Sequence, residues 1–200
     1  MALIGDMVAP MATAIVIAIF LVYIVMALQF EKLKQPLLIM MTIPFCFIGV
    51  VLGLLIFGST LNLLSLLGLV SLAGIVVNNG IILVDYINQL RISRRLEIAK
   101  KRGKKDRDGE YQIELSAQEE NELLYGCVAD GAASRIKPIL ITTLTTLLGD
   151  IPMAIAHGEG AELYAPMGQA IVGGLITSTL ITLILIPVLY YMTEKKKETK

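Results

Sequence analysis

The chain has no tryptophan, one histidine, two cysteines and no net charge, its 17 Lys+Arg balancing 17 Asp+Glu across 200 residues. Each shortage removes a class of function. A net charge of zero argues against a bulk nucleic-acid binder, which needs a basic surface. His157 stands beside Gly158 with no second ligand at helical spacing, so no metal centre is expected. Cys46 falls in an apolar run and Cys127 in a charged linker, which suggests neither a disulfide framework nor a metal site. No cofactor is implied.

What is abundant is apolar. The sequence is 56% hydrophobic, with a mean hydropathy of +0.74. Met7 to Phe30 carry no charge, Gln35 to Val84 carry none, Leu163 to Thr193 carry none, and Pro138 to Ala156 carry only Asp150. A bilayer core about 30 Å thick needs roughly 20 apolar residues per helix. The second run is long enough for two spans and breaks naturally at Gly58-Ser59-Thr60. The runs therefore predict an all-α polytopic membrane bundle with five transmembrane helices, at 9–29, 36–57, 61–84, 138–157 and 166–192. A spanning barrel would instead show short alternating segments, unlike IVIAIFLVYIVMAL.

All 17 basic residues fall on one side of this topology. Lys32 and Lys34 lie in the first loop, eleven lie between Arg91 and Lys137, and four follow Met192. The opposite loops, Gly58 to Thr60 and His157 to Ala165, have none. By the positive-inside rule the linker and the C-terminus are cytoplasmic and the N-terminus is outside. An odd span count starting outside suggests the back half of something larger.

The organisation expected is three spans in 1–90, a charged linker over 91–134, two spans in 135–192 and a basic tail over 193–200. The first part of the linker mixes dense charge with glycine and is expected to be mobile or partly helical. Ser116 and Glu119 have capping-box spacing, so a helix at about 117–135 can run into the fourth span. The basic cluster could recruit anionic lipid, but a solvated charged insert is the stronger reading.

Polar residues inside spans are costly in hydrocarbon unless they face other helices or a water path. In the third span Gly68, Ser71 and Asn78 share one face, with Asn79 about 100° around. In the fourth, Arg135, Thr142, Thr146 and Gly149 draw a second stripe. Spacing alone leaves a shared buried track and simple interhelical hydrogen bonding equally open. Gly49 and Gly53 form a GxxxG pair, and Gly68, Gly74, Gly173 and Gly174 complete the expected helix-packing set, beside Thr177 and Ser178. Pro44, Pro152 and Pro187 are expected to kink or end helical turns.

Three segments carry a family resemblance: IFLVYIVMALQFEKLKQPLLIMMTIPFCFIGVVLGL, GIVVNNGIILVDYINQLR, and RIKPILITTLTTLLGDIPMAIAHGEGAELYAPMGQAIVGGLITSTLITLILIPVLYY. They resemble the C-terminal membrane helices of resistance-nodulation-division efflux permeases of the acriflavine-resistance, hydrophobic and amphiphilic drug-exporting type. The likeness covers nearly the whole chain except about 95–114. It implies helices eight to twelve of a twelve-helix, two-repeat subunit of the bacterial inner membrane. Such subunits form homotrimers, export drugs or other small molecules in exchange for protons, and work with a periplasmic adaptor and an outer-membrane channel. Paired aspartates on the fourth family helix, in the missing first half, take up the protons.

The resemblance makes Asn78, Asn79, Arg135 and Thr142 proton-relay candidates. Where the tenth family helix often carries a lysine, this chain has Asn78, which can hydrogen-bond an aspartate but supplies no positive charge. Lys137 matches a second basic position, read as an interfacial anchor. Asp150 replaces an apolar residue and is read as an interfacial or protein-facing carboxylate, with an ion site as the sharper alternative. An intramembrane aspartyl protease is rejected because Asp85 and Asp150 fall near opposite ends of their helices and cannot share a site. The remaining rival is a non-transporting remnant acting as a structural or assembly protein.

Overall fold

The computed structural model describes residues 2–30, 34–102, 115–158 and 160–195, and the described residues contain no strand. Lys32, the linker over 103–114 and the tail from 196 lie outside the described residues. Six helical segments follow in order: α1 (Ala2–Phe30), α2 (Lys34–Met40), α3 (Ile43–Phe57), α4 (Leu63–Arg102), α5 (Ala117–Ala154) and α6 (Ala161–Glu194). Because α2 and α3 form one broken rod, the result is a five-helix, all-α membrane bundle. Three stretches are long and apolar enough to cross a membrane by length and composition: Lys34–Phe57, Leu63–Arg102 and Leu163–Glu194. Val16–Phe30 is a shorter apolar helix.

Local chemistry explains the breaks. Pro44 has no N–H to continue the ladder, and Thr42 Oγ1 donates to the Ile39 carbonyl (2.7 Å), so the expected span over 36–57 divides at Met41 and Thr42. Gly58 then ends α3 in the left-handed conformation (φ 71°), where its N–H reaches the Leu54 and Leu55 carbonyls. Asn62 and Ser65 start α4 with reciprocal bonds, Asn62 N–H to Ser65 Oγ (2.8 Å) and Ser65 N–H to Asn62 Oδ1 (2.9 Å). Ser116 and Glu119 form the expected capping box of α5, which continues unbroken into the fourth expected span. Pro152 lies in the last turn of α5, whereas Pro187 ends nothing, because α6 runs on to Glu194.

α6 is the central post, packed against α2, α3, α4 and α5. On α3, a Cβ at Gly49 would sit 2.9 Å from Gly174 Cα, and one at Gly53 would sit 2.8 Å from Gly173 Cα. The predicted glycines therefore meet one another across the α3–α6 seam, where only their lack of side chains allows the approach. Gly68 likewise packs on the Met167 carbonyl of α6. Gly74 does not belong with them: a Cβ there meets nothing within 4 Å, because that side of α4 faces away from α6. Large apolar residues such as Leu28, Leu55, Ile56 and Ile184 stand exposed, at 69–81%. So broad an apolar surface suits lipid or further helices rather than water.

The two ends differ in charge. At the end bearing the lysines and arginines, Gln35 of α2 and Asn88 of α4 exchange two hydrogen bonds (3.2 and 3.0 Å), and Tyr190 of α6 donates to Asn88 (2.5 Å). Arg91 bridges Glu120 of α5 (3.1 Å) and Glu194 of α6 (2.7 Å), while Arg95 also reaches Glu120 (3.1 Å). This network ties four segments together.

Beyond it α4 and α5 continue as an antiparallel hairpin. At 40 and 38 residues they are about 60 Å long, twice a bilayer core. The helix thus crosses position 90 without a break, and 91–102 is helical. Arg94 pairs with Asp130 and Arg102 with Glu119 (2.5 Å). Among the described residues of the basic cluster, Arg94 and Arg102 thus stand on one flank of an ion-paired hairpin.

Candidate functional site

Each expected polar position takes up a distinct environment. On α4, Leu72, Val76, Asn79, Leu83 and Ile87 are all buried, at spacings of three and four, so Asn79 lies within the packed seam. Asn78 is exposed, on a face with Ser71 and Gly74. The sequence grouped Gly68 with Ser71 and Asn78. The structure splits that group: Gly68 belongs to the packed side, and Gly74 takes its place on the open one.

On α5, Thr142 is exposed and its hydroxyl donates to the Pro138 carbonyl (3.0 Å), while Thr146 donates to the Thr142 carbonyl (3.0 Å). Both hydroxyls are satisfied by their own helix. Thr143, absent from the predicted set, is buried and bonds across to Thr179 of α6 (3.2 Å). The signal that could have found it is Thr179 on a small-residue helix facing a run of threonines. Gly149 is exposed. Asp150 is partly buried, with no hydrogen bond or ion pair among the described residues, about 22 Å along α5 from Arg135.

Arg135 is the one charged member of the two stripes. Its Cζ lies 4.2 Å from the centre of the Tyr86 ring on α4, and its buried Nε has no hydrogen-bond partner. Among the described residues, Arg91, Arg94, Arg95 and Arg102 all pair with carboxylates, whereas Arg135 pairs with none. Asp85, adjacent to Tyr86 in sequence, accepts from Gln89 Nε2 (2.8 Å). Lys137 is exposed, two residues beyond Arg135 and so about 200° around the helix from it.

Depth follows from the helix rise. Asn78 is eight residues from Tyr86, about 12 Å, and Thr142 is seven residues from Arg135, about 10 Å. α4 and α5 are antiparallel and meet at that ring contact, so both polar positions lie at matching depth on faces that α6 does not cover. Asn78 and Thr142 are thereby brought level, while Asn79 turns inward. Among the described residues no group of three His, Cys, Asp or Glu gathers to hold a metal ion.

The chain matches the profile of the AcrB/AcrD/AcrF family over residues 8–107 and 110–194. It is 31% identical over 182 residues to the cobalt-zinc-cadmium resistance protein CzcA of Cupriavidus metallidurans, covering 91% of this chain and 15% of that protein. It is 35% identical over 181 residues to the multidrug resistance protein MdtC of Erwinia tasmaniensis, covering 90% and 15%. Among solved structures it superposes on a heavy metal efflux pump with a TM-score of 0.71 and 31% identity, covering 92% of this chain and 16% of that one. The chain thus spans about 15% of the length of the relatives it matches. Their names include both metal and multidrug resistance, so the family match is broader than the drug-exporting type expected from the sequence. The chain belongs to the AcrB/AcrD/AcrF family of resistance-nodulation-division efflux transporters.

Proposed function

We propose that these helices form the C-terminal membrane part of a proton-coupled exporter in the bacterial inner membrane, with the lysine- and arginine-rich end cytoplasmic. Arg135, Thr142 and Asn78 form the face that this chain turns toward helices elsewhere in the transporter. The observation that carries the reading is the unpaired guanidinium of Arg135. A partly buried positive charge without a carboxylate is costly unless a partner arrives, and its stripe is open on the side away from α6. An aspartate pair supplied by another helix fits that vacancy, and its protonation would then be felt by Arg135. With Asn78 in place of a lysine, Arg135 carries the electrostatic half of the relay and Asn78 only hydrogen bonding. Asn79 acts through packing.

The parent subunit, in this reading, works as a homotrimer with a periplasmic adaptor and an outer-membrane channel. It exports small molecules selected by parts beyond these helices. The test is proton-driven efflux into everted membrane vesicles by the transporter that carries this chain. Arg135→Ala is expected to lower efflux at least about tenfold, the size of a lost charge-assisted contact. Asn78→Ala and Thr142→Val are expected to lower it less. Full efflux in all three variants would remove these residues from the relay.

A further inference from the structure

We infer that Tyr86 is a positioning residue for Arg135, holding its guanidinium at the mouth of the α5 stripe by stacking beneath it. This rests on the proton-relay reading of Arg135.

The contact is built into the helix crossing. Gly131, one turn before Arg135, is so close to α4 that a Cβ there would lie 2.7 Å from Ile87 Cγ1. That approach puts the neighbouring Tyr86 ring 4.2 Å from the Arg135 Cζ. An arginine side chain is long and loses much rotamer freedom when fixed, so something must hold it if it is to face one direction. Hydrogen bonds do not do this at Nε, which is enclosed and unpartnered. Asp85, the acid adjacent in sequence to Tyr86, is engaged by Gln89 on its own helix. The aromatic face is left as the restraint, and it holds a cation without neutralising it. An ion pair would have cancelled the charge the relay needs, whereas the ring leaves the guanidinium's remaining donors available to an incoming carboxylate.

The experiment separates ring electrostatics from ring size. Phenylalanine and its progressively fluorinated analogues are placed at position 86, which keeps the volume while draining the negative face of the ring. In the arginine-labelled chain in nanodiscs, the Arg135 side-chain protons are expected to show an upfield ring-current shift in the native protein and in Tyr86→Phe, and to lose it in Tyr86→Leu. In the transporter, Tyr86→Phe is expected to retain efflux, and the fluorinated series to fall by about two- to fivefold overall, the factor for an exposed cation–π contact. Efflux that is flat across the fluorinated series while Arg135→Ala is defective would overturn the positioning role and leave the relay reading intact. Normal efflux by Arg135→Ala would overturn the relay reading itself. An unshifted Arg135 spectrum in the native chain would overturn the stacking.

Discussion

Gly53→Ala is a direct trial of the α3–α6 seam. The added Cβ would lie 2.8 Å from Gly173 Cα and 2.8 Å from the Gln169 carbonyl oxygen, against an ordinary contact of at least 3.4 Å. Both obstacles are backbone, so no rotamer change relieves them, and the helices must part by about 0.6 Å. A gap of that size forfeits a quarter to a half of the dispersion well along the neighbouring contacts. Overpacking of this kind costs about 1–3 kcal/mol. Alanine returns about 1 kcal/mol of helix propensity, for a net loss of up to about 2 kcal/mol. Gly74→Ala is the matched control, because its Cβ meets nothing within 4 Å and only the propensity gain remains. Reversible unfolding of the chain in bicelles with increasing dodecyl sulfate should place Gly53→Ala below the native protein and Gly74→Ala level with it or above. If Gly53→Ala proves as stable as Gly74→Ala, the close approach of α3 and α6 is wrong.

The same unfolding assay distinguishes the two adjacent asparagines. Asn79→Ala should cost about 1 kcal/mol or more from the packed face, whereas Asn78→Ala should stay within about 0.5 kcal/mol; the reverse order would overturn the assignment of faces. Thr143→Val removes the bond to Thr179 and should cost about 0.6 kcal/mol, while Thr142→Val, whose hydroxyl bonds only to its own helix, should cost less. Ser116→Ala removes the α5 cap and should fray its first turn by about 1 kcal/mol, seen as faster amide exchange at Glu119 and Glu120. The cap is also pH-dependent. Hydrogen bonds from Arg102 and then from the Ser116 N–H hold Glu119 below its ordinary carboxylate value. Its contribution is therefore complete above about pH 4.3 and lost as pH falls through the lowered value, so exchange at the first turn should quicken only in that acid window.

Much of this architecture is written in the chain at the level of single residues. Charge-free runs locate the helices because hydrocarbon excludes charge. Gly58, Pro44 and the Ser116–Glu119 pair mark breaks and starts because their chemistry acts within one turn. The glycine seam was visible for the same reason at Gly49, Gly53, Gly173 and Gly174. Gly74 shows the limit: small size reveals that a close approach is possible, and the arrangement of neighbouring helices decides whether it occurs.

The two asparagines show the limit again. A rotation of 100° separates them, and only the position of α6 determines which one is inward. Arg135 could be read as a polar stripe member from spacing. Its partner Tyr86 could not, since the two are 49 positions apart and meet through a crossing set by Gly131 and Ile87. The ion-paired hairpin was hidden by the summed charge of the linker, because its basic residues fall largely on the α4 side and its acids on the α5 side.

The continuity of α4 has a mechanical meaning. From Asn78 to Arg102 is 24 residues of unbroken helix, about 36 Å. No proline interrupts that stretch to kink it, so it tilts as one rod, and each degree of tilt about Asn78 sweeps Arg102 sideways by about 0.6 Å. A few degrees of rocking at mid-membrane therefore becomes a displacement of ångströms at the far tip. Labels placed on the hairpin would act as a pointer, magnifying movements around Asn78 that are too small to follow where they arise.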